Sequence, residues 1–246
     1  MHSDFLSGTG VASVNASAQT LVGIGLYTPA EAGRLIGVRP SKIRRWLQGH
    51  EANGKHYEPL WASEIDLDDG KTYLSFRDML EARVASSFIA NGLSAKKLRK
   101  AIEIAQQVVG ERPLATKWLK TDGRSVFLQL ARDEEDEGEP ECLDLFKNQY
   151  AFSRIVNGSL KDIKFDGLYP AAWWPQGEKA GILIDPARSF GKPIDQETSV
   201  PTEHLVSAVK SEGSAELVAK LWDVPVRAVR RAIAFERWLS EPAIAA

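Results

Sequence analysis

The sequence predicts an α+β fold that is mainly helical, and three observations support this prediction. A helix pair with clear start signals lies at residues 27–50, and a similar pattern returns at residues 215–233. Residues 75–110 contain two long runs with apolar residues at helical spacing. Short apolar runs bounded by Gly, Asp and Pro lie in residues 111–185, which predicts a middle segment that combines strands with helices.

The first helix pair begins with a capping box. Thr28 and Glu31 have the T-x-x-E spacing, and Pro29 suits the first helical position. Gly37 and Val38 then supply a turn, after which a second helix is predicted to run to about residue 48. Two short helices joined by a tight turn are typical of a helix-turn-helix.

The second helix of this pair has one apolar and one polar side. At 100° per residue, Pro40, Ile43 and Leu47 fall on the same side. The opposite side and its start present cations and amide or hydroxyl groups, namely Arg39, Ser41, Lys42, Arg44, Arg45 and Gln48. This arrangement predicts that the second helix enters the major groove of DNA, although a basic face that is merely solvated has a similar pattern.

Residues 49–73 are predicted to form a hairpin or a looser wing, with Asp68-Asp69-Gly70 as its turn. Lys55 and His56 lie near its first bend and are candidate phosphate contacts, although a plain connecting hairpin explains them equally well. Two helices follow, the first from a cap at residues 75–78 to 91–92, the second from residue 94 to 110. The second begins with a basic cluster of Lys96, Lys97, Arg99 and Lys100.

Composition limits the classes of function. The chain has 246 residues and a formal net charge of −2, so any nucleic-acid contact must come from local clusters of cations. Cys142 is the sole cysteine, which excludes an internal disulfide and favours a reduced, cytoplasmic setting. No apolar run is long enough to span a bilayer. Residues 1–25, rich in Ser, Ala and Gly, are predicted to be a flexible leader.

The middle segment, residues 111–185, is predicted to contain a β-hairpin over residues 115–120 and 125–130, with the turn Thr121-Asp122-Gly123-Arg124. An acidic loop follows at residues 133–144, then a strand near 143–146 and a helix through 152–156. Two further strands are predicted at 163–165 and 181–185. Trp173 and Trp174 are interpreted as core or interface anchors, with a ligand pocket as the alternative.

The C-terminal segment repeats the first helix pair without a gap at an offset of 186 residues. Val229 falls on Ile43, and Arg230-Arg231 falls on Arg44-Arg45, so Arg227, Arg230 and Arg231 are predicted to face outward. Charge separates the copies: residues 27–60 contain six basic and three acidic residues, and residues 196–246 contain six and seven. The first copy is therefore the better candidate for DNA binding; the second is either another DNA reader or a protein-interaction module.

Residues 28–46, the wing and the helices that contain S-F-R-D-M-L-E-A-R and G-L-S-A-K-K-L-R-K-A-I resemble the DNA-binding unit of MerR-type regulators over about 80 residues. The segment from I-D-P-A-R-S-F-G-K-P-I to V-R-A-V-R-R-A-I-A-F-E is similar to a small helical domain of antitoxins that pair with PIN-type nuclease toxins. Together, residues from about 26 to 238 resemble the VapB-type antitoxin family, except that Glu197-Thr198-Ser199 replaces a glycine usual in that family.

The resemblance implies three parts after the leader: a MerR-like winged helix-turn-helix at 26–110, the middle segment at 111–185 and a three-helix domain at 186–246. It implies a homodimeric antitoxin that binds a palindromic operator, represses its own operon and neutralises a PIN-like ribonuclease toxin. Charge complementarity makes Arg227, Arg230 and Arg231 candidate toxin contacts.

The sequence contains no pattern that indicates catalysis, a cofactor or a metal site. His50 and His56 have no carboxylate pair near them in sequence, and no Walker, Rossmann or G-x-S-x-G motif occurs. We therefore predict a protein that is not an enzyme. The alternative function is a MerR-like regulator that senses a small molecule beside Trp173 and Trp174 and has no toxin partner.

Overall fold

The structure is a computed structural model that describes residues 23–52, 54–110, 112–125, 127–128 and 149–241. The predicted acidic loop, Cys142 and the strand predicted near residues 143–146 lie outside these ranges, as do residues 1–22 of the predicted leader. At the end of that leader, the carbonyl oxygen of Ile24 accepts a hydrogen bond of 2.8 Å from the backbone N–H of Phe76. The described residues form a mixed α+β fold in which helices predominate.

The first helix pair consists of α1 (Pro29–Ile36) and α2 (Pro40–Gln48). The predicted capping box is present, because the Thr28 hydroxyl accepts from the backbone N–H of Glu31 and the Glu31 carboxylate accepts from the backbone N–H of Thr28. Gly37 ends α1 in the left-handed conformation, with φ at 69°. Ile43 and Leu47 are buried, as the apolar side predicted for α2 requires, and Trp46 is buried with them.

A two-stranded antiparallel hairpin follows, with β1 (His50–Ala52) paired to β2 (Lys55–Tyr57). The prediction that Asp68-Asp69-Gly70 forms the hairpin turn is wrong, because the register pairs Ala52 with Lys55 and the strands therefore turn between these two residues. In the sequence an Asn-Gly pair lies there, which is typical of a two-residue hairpin turn. The aspartates instead organise a loop: a carboxylate oxygen of Asp69 accepts from the Lys71 N–H at 3.0 Å, and the other accepts from the Tyr73 hydroxyl at 2.8 Å.

Two long helices, α3 (Phe76–Ala90) and α4 (Ala95–Val109), pack beside the helix pair and match the predicted boundaries. Ser75 and Asp78 cap α3 reciprocally, and the Ser94 side chain caps α4. α3 is buried on nearly all sides and passes through the largest hydrophobic core. It is therefore the central element against which the N-terminal and middle segments assemble.

The β-hairpin predicted over residues 115–130 is wrong, because the described part of this region is helical. α5 spans Lys117–Thr121, and residues 123–125 and 127–128 are also helical. Leu119, Gly123 and Phe127 are buried at a spacing of four, which is one face of a helix. The ring of Phe127 stacks on that of Phe88 in α3, with 4.9 Å between centroids. The next helix, α6 (Gln149–Ser159), confirms the helix predicted there.

A four-stranded antiparallel sheet has the order β3 (Ile163–Asp166), β4 (Tyr169–Trp173), β5 (Ile182–Ile184) and β6 (Pro193–Asp195). Both strands predicted in this region are present as β3 and β5. Short 3-10 turns at Glu178–Ala180 and Ser189–Gly191 connect the later strands. The sheet contains strands from both sides of the boundary predicted between residues 185 and 186.

The chain ends in three helices, α7 (Thr202–Glu212), α8 (Ala215–Leu221) and α9 (Val226–Ser240). At the offset of 186, α8 and α9 begin at the positions that match the starts of α1 and α2. The turn is repeated as well: Val38 N–H donates to the Gly33 carbonyl at 3.0 Å, and Val224 N–H donates to the Ala219 carbonyl at 3.0 Å. Asp223 has φ at 52° where the first copy has a left-handed glycine. The helix pair is thus duplicated in structure.

Tyr27 connects the N-terminal helix pair to the segment between β5 and β6. Its backbone pairs with Leu74, and its hydroxyl donates to the carbonyl oxygen of Gly191 at 2.6 Å. The backbone N–H of Leu26 donates to the Phe190 carbonyl at 3.2 Å. Burial raises the pKa of the Tyr27 hydroxyl far above its ordinary value, so the hydroxyl stays protonated and remains a donor.

Candidate nucleic-acid interface

The polar side of α2 is open to solvent. Residues predicted to read DNA are exposed at five positions, namely Arg39, Ser41, Arg44, Arg45 and Gln48, and Lys42 is half-buried. The buried side of the same helix holds these residues in place, since Ile43, Trp46 and Leu47 belong to the main core. Helix α2 therefore presents a fixed row of polar and cationic side chains on a rigid support.

The cations of this row form a cluster without neutralising carboxylates. Among the described residues, no carboxylate lies within 4.0 Å of the guanidinium groups of Arg39, Arg44 or Arg45. Lys42 lies over the ring of Trp46, with its Nζ 5.1 Å from the centroid. Burial lowers the pKa of Lys42, and the positive charges of Arg45 and Arg39 lower it further. The cluster thus generates a positive potential suited to an anionic partner.

The hairpin extends this surface with exposed residues. Lys55 and His56 are both exposed on β2, as their predicted role requires. The Nε2 of His56 lies 3.5 Å from a carboxylate oxygen of Glu58, so this histidine has an acidic neighbour, whereas Lys55 has none among the described residues. The rings of His50 and Tyr57 stack across the hairpin at 4.9 Å and stiffen its base.

Two residues outside the predicted set of DNA contacts position the hairpin. Arg99 on α4 donates from Nε to the Pro59 carbonyl at 3.1 Å and from Nη2 to the Glu58 carbonyl. Gly49, at the end of α2, has φ 71° and ψ −173°, a conformation available almost only to glycine. A Cβ at Gly49 would lie 2.4 Å from the Tyr57 carbonyl oxygen. The sequence offered a signal for Gly49, because a glycine stands directly before a predicted strand. It offered no signal for the role of Arg99, whose partners are backbone carbonyl groups about 40 residues earlier.

The loop between the hairpin and α3 is anchored by one buried carboxylate. Asp78 accepts from the Trp61 indole at 3.1 Å and from the backbone N–H of Glu64 at 3.0 Å. Arg112, also buried, places its Nη1 3.0 Å from an Asp78 oxygen and 2.7 Å from the Ala62 carbonyl. These contacts fix the loop on α3.

The arginines of the second copy have partners, unlike those of α2. Arg227 pairs with Glu197, Arg230 pairs with Glu216 at 2.7 Å, and Arg231 binds the buried Asp195 at 2.7 Å. The prediction that all three face outward is wrong for Arg231, whose side chain is only 25% exposed because it neutralises a buried carboxylate.

The pKa of Glu197 is lowered by its pairing with the arginines of the second helix pair. Hydrogen bonds from Arg227 and then Arg231 lower the pKa of its carboxyl group to about 2. Arg227 and Arg230 remain exposed to solvent, so they stay within reach of another protein. Their charges are nevertheless offset inside the chain, and the second copy has no free cationic face comparable to that of α2.

The two tryptophans are held by contacts within the fold. Trp173 is buried in the main core with the Arg83 guanidinium 4.6 Å from its ring centroid, and the Trp174 indole donates to Gln196 at 3.0 Å. A cleft opens elsewhere, between α1 and α9, and its wall includes Glu31, Arg34, Lys192, Thr202 and Glu236. The interpretation of Trp173 as a core anchor is confirmed.

Within the described ranges, no group of three or more His, Cys, Asp or Glu side chains is arranged to hold a metal ion. None of the helices in this part of the chain is long and apolar enough to cross a membrane. The main chemical feature of the described residues is the cationic cluster on α2, whose arginines have no carboxylate partner among them.

Comparison with known proteins gives two similarities. The chain is 27% identical over 221 residues to a Mycobacterium tuberculosis (strain ATCC 25618 / H37Rv) protein named "Putative antitoxin VapB45". The aligned region covers 85% of this chain and 92% of that protein. The chain is also similar to the crystal structure of Rv2018 from Mycobacterium tuberculosis, with a TM-score of 0.67, 24% identity, and coverage of 86% of this chain and 99% of that one. No protein-family model matches the chain. The similarity to this protein, whose printed name is that of an antitoxin, thus extends over 85% of the chain.

Proposed function

We propose that this protein is a DNA-binding antitoxin that represses its own operon and neutralises a PIN-like ribonuclease toxin. The similarity to a protein named as an antitoxin supports the assignment to a toxin–antitoxin module. The observation that carries DNA binding is the cationic cluster on the exposed side of α2, which has no carboxylate partners among the described residues. Neutralising phosphates with such a cluster releases counterions and favours binding.

In this proposal α2 lies in the major groove of the operator. Arg44 and Arg45 contact base edges, and an arginine that binds guanine with two hydrogen bonds discriminates by roughly 1–3 kcal/mol. Lys55 at the hairpin contacts phosphate. Lys96 and Lys100 on α4 are exposed near Arg99, which ties that helix to the hairpin exit, and they extend the phosphate contacts.

We propose a homodimer as the DNA-binding form. Two copies of α2 related by a two-fold axis would enter successive major grooves about 34 Å apart, so the operator is a palindrome or a near-palindrome. The partner toxin contacts the C-terminal domain in this proposal, through Arg227 and Arg230, which are exposed and paired only with surface carboxylates. Arg231 is the third candidate contact and would have to exchange partners first.

The DNA-binding proposal is tested by replacing Arg44 and Arg45 with Ala and measuring a mobility shift with DNA from the promoter of its own operon. The matched control is Arg227→Ala with Arg230→Ala, which removes two cations from the second copy. We expect the first variant to lose the shift and the control to keep it. Retained operator affinity in the first variant would show that α2 is not the DNA reader.

The toxin proposal needs a separate measurement. Co-expression of the full chain with the product of the neighbouring gene, followed by pull-down, should recover a complex that lacks ribonuclease activity. The Arg227→Ala, Arg230→Ala protein should recover less of that product, whereas the Arg44→Ala, Arg45→Ala protein should recover the same amount. Failure to recover any neighbouring nuclease would favour a regulator without a toxin.

A further inference from the structure

An apolar patch on the C-terminal helices is left uncovered. Leu217 and Leu221 lie one turn apart on α8 and are 41% and 58% exposed. Trp222, the residue that ends this helix, is 43% exposed. Single exposed apolar residues are ordinary on a protein surface, but a contiguous group of large ones marks an interaction site.

The matching helix of the first copy has a cover at the same place. At the offset of 186, Leu221 corresponds to Leu35, and Trp222 corresponds to Ile36. Leu35 is only 6% exposed, and Ile36 packs against the main core. Helix α1 is covered by α3, whereas α8 packs against α7 and α9. Leu221 and Trp222 therefore keep the apolar character of a covered face, and no described element of the same chain covers them. Leu217 is an additional apolar residue, since its counterpart in the first helix pair is the exposed Glu31.

The charges at the edge of the patch indicate what covers it. Lys220 and Asp223 flank the two apolar residues Leu221 and Trp222 in sequence, and both are exposed. Neither has an ion-pair partner among the described residues, whereas neighbouring Glu216 is paired with Arg230. A two-fold axis through this patch, oriented so that Lys220 of one subunit faces Asp223 of the other, would form two identical ion pairs. Isologous interfaces require such self-complementary surfaces.

We infer that the patch formed by Leu217, Lys220, Leu221, Trp222 and Asp223 is the interface between two copies of this chain. The inference rests on the proposed function, in which the DNA-binding form is a homodimer, and it names the surface that forms the dimer. The apolar side chains lie at the centre of this interface, and reciprocal ion pairs form its rim, as is usual for protein interfaces. The cationic face of α2 lies on the N-terminal helix pair of each subunit, outside this interface, and stays free to bind DNA.

The first test measures the oligomeric state of the full chain by sedimentation velocity over a range of concentrations. The wild type should dimerise, and Leu221→Glu should raise the dimer dissociation constant by more than about tenfold, because it buries a charge in each half of the interface. The matched control is Leu168→Glu, at an exposed leucine of the β3–β4 turn, which should leave the dimer intact. Circular dichroism confirms that each variant is folded.

A charge exchange tests the ion pairs across the two-fold axis. Lys220→Asp alone and Asp223→Lys alone should each weaken the dimer, because like charges then face each other. An equal mixture of the two single variants should form heterodimers, since every rim contact in the mixed species is again between opposite charges. Asp223 has a left-handed backbone, so thermal unfolding of each variant is compared with that of the wild type.

The outcomes separate this inference from the proposed function. A monomeric wild type that still footprints its operator would overturn the inference and leave DNA binding in place. A dimer that survives Leu221→Glu would also overturn it, because the contact would lie elsewhere. Loss of toxin recovery by Leu221→Glu without any change in dimerisation would assign the patch to a different partner and overturn it as well.

Discussion

The Nε of Arg99 lies 3.1 Å from the carbonyl oxygen of Pro59, and this contact ties α4 to the chain that leaves the hairpin. The same guanidinium also donates to the carbonyl oxygen of Glu58. Carbonyl oxygens at the end of a hairpin need donors, and a charged donor forms the stronger hydrogen bond. Arg99 is thus a positioning residue for the hairpin, and its cationic charge is partly directed inward.

Replacing Arg99 with Ala should weaken operator binding more than replacing Lys100 with Ala. Both changes remove one positive charge from α4, but only the first releases the hairpin. A hydrogen bond to a charged group contributes roughly 1.5–3 kcal/mol, and we expect a comparable loss of operator affinity on top of the charge effect. Titrations at several salt concentrations separate the two effects, because Lys100→Ala removes a proposed phosphate contact and should lower the salt slope, whereas Arg99→Ala should change the slope less. Equal affinities of the two variants would contradict the positioning role.

Gly49→Ala should disturb the hairpin, and Gly54→Ala should not. Both glycines have positive φ, at 71° and 70°, so each substitution strains the backbone by roughly 1–3 kcal/mol. Only at Gly49 would the new methyl group meet a backbone oxygen, that of Tyr57, at 2.4 Å. Operator affinity and the free energy of unfolding should therefore both fall further for Gly49→Ala. Similar values for the two variants would show that the hairpin base tolerates displacement.

Arg231→Ala should destabilise the protein far more than Arg230→Ala. The carboxylate of Asp195 is buried, and Arg231 is its cationic partner, with Nη2 2.7 Å and Nε 2.8 Å from the same oxygen. Removing one partner of a buried ion pair costs about 3–5 kcal/mol. Arg230 and Glu216 are both largely exposed, and such pairs contribute about 0–1 kcal/mol. Urea unfolding of both variants measures the difference; equal midpoints and slopes would refute it.

The stability of the fold should fall as the pH rises between about 4.5 and 7 through one buried group. Burial raises the pKa of Glu81 to about 7 from an ordinary value of 4.5, although the N–H groups of Ala115 and Leu114 donate to its carboxylate. In this window the unfolded chain releases the proton that the folded chain retains. The free energy of unfolding therefore decreases with pH, by at most about 1.4 kcal/mol per pH unit from this group.

Glu81→Gln removes the titrating group and retains an acceptor for one of the two backbone N–H groups, which bond to different oxygens of the carboxylate. Asp78 and Arg112, which also act on Glu81, are unchanged in this variant. The stability of the wild type relative to the variant should be higher at about pH 5 than at about pH 8. Urea unfolding at both pH values gives the comparison, and parallel pH profiles for the two proteins would show that Glu81 does not titrate there.

Local patterns in the sequence predicted the elements whose signals are themselves local. The capping residues Thr28 and Ser75 mark the starts of α1 and α3, and the offset of 186 located the second helix pair. The helical region after residue 115 was missed because Thr121-Asp122-Gly123 is a common turn sequence. The buried series Leu119, Gly123 and Phe127 contains a glycine, so its helical period is hidden in a hydropathy pattern.

The positions of the candidate site residues could be predicted from the sequence only where helical periodicity determines which side chains face solvent. The faces of α2 follow from its period, so the cations on its polar side were placed correctly. Arg231 occupies the position that matches Arg45 at the same offset, yet it is half-buried because Asp195 lies opposite it, 36 residues away in sequence. Partners that distant depend on the tertiary arrangement, and neither spacing nor charge counting contains that information.

The hydrogen bond from the Tyr27 hydroxyl to Gly191 joins residues 164 positions apart, and this has a consequence for synthesis of the chain. The ribosome completes the first helix pair long before it adds the carbonyl group that receives this bond. Until residue 191 has been added, the Tyr27 hydroxyl can form hydrogen bonds only with water or with other partners. Contacts of such long sequence separation also slow folding. A prematurely terminated chain would carry the cationic helix without its anchor to the C-terminal half.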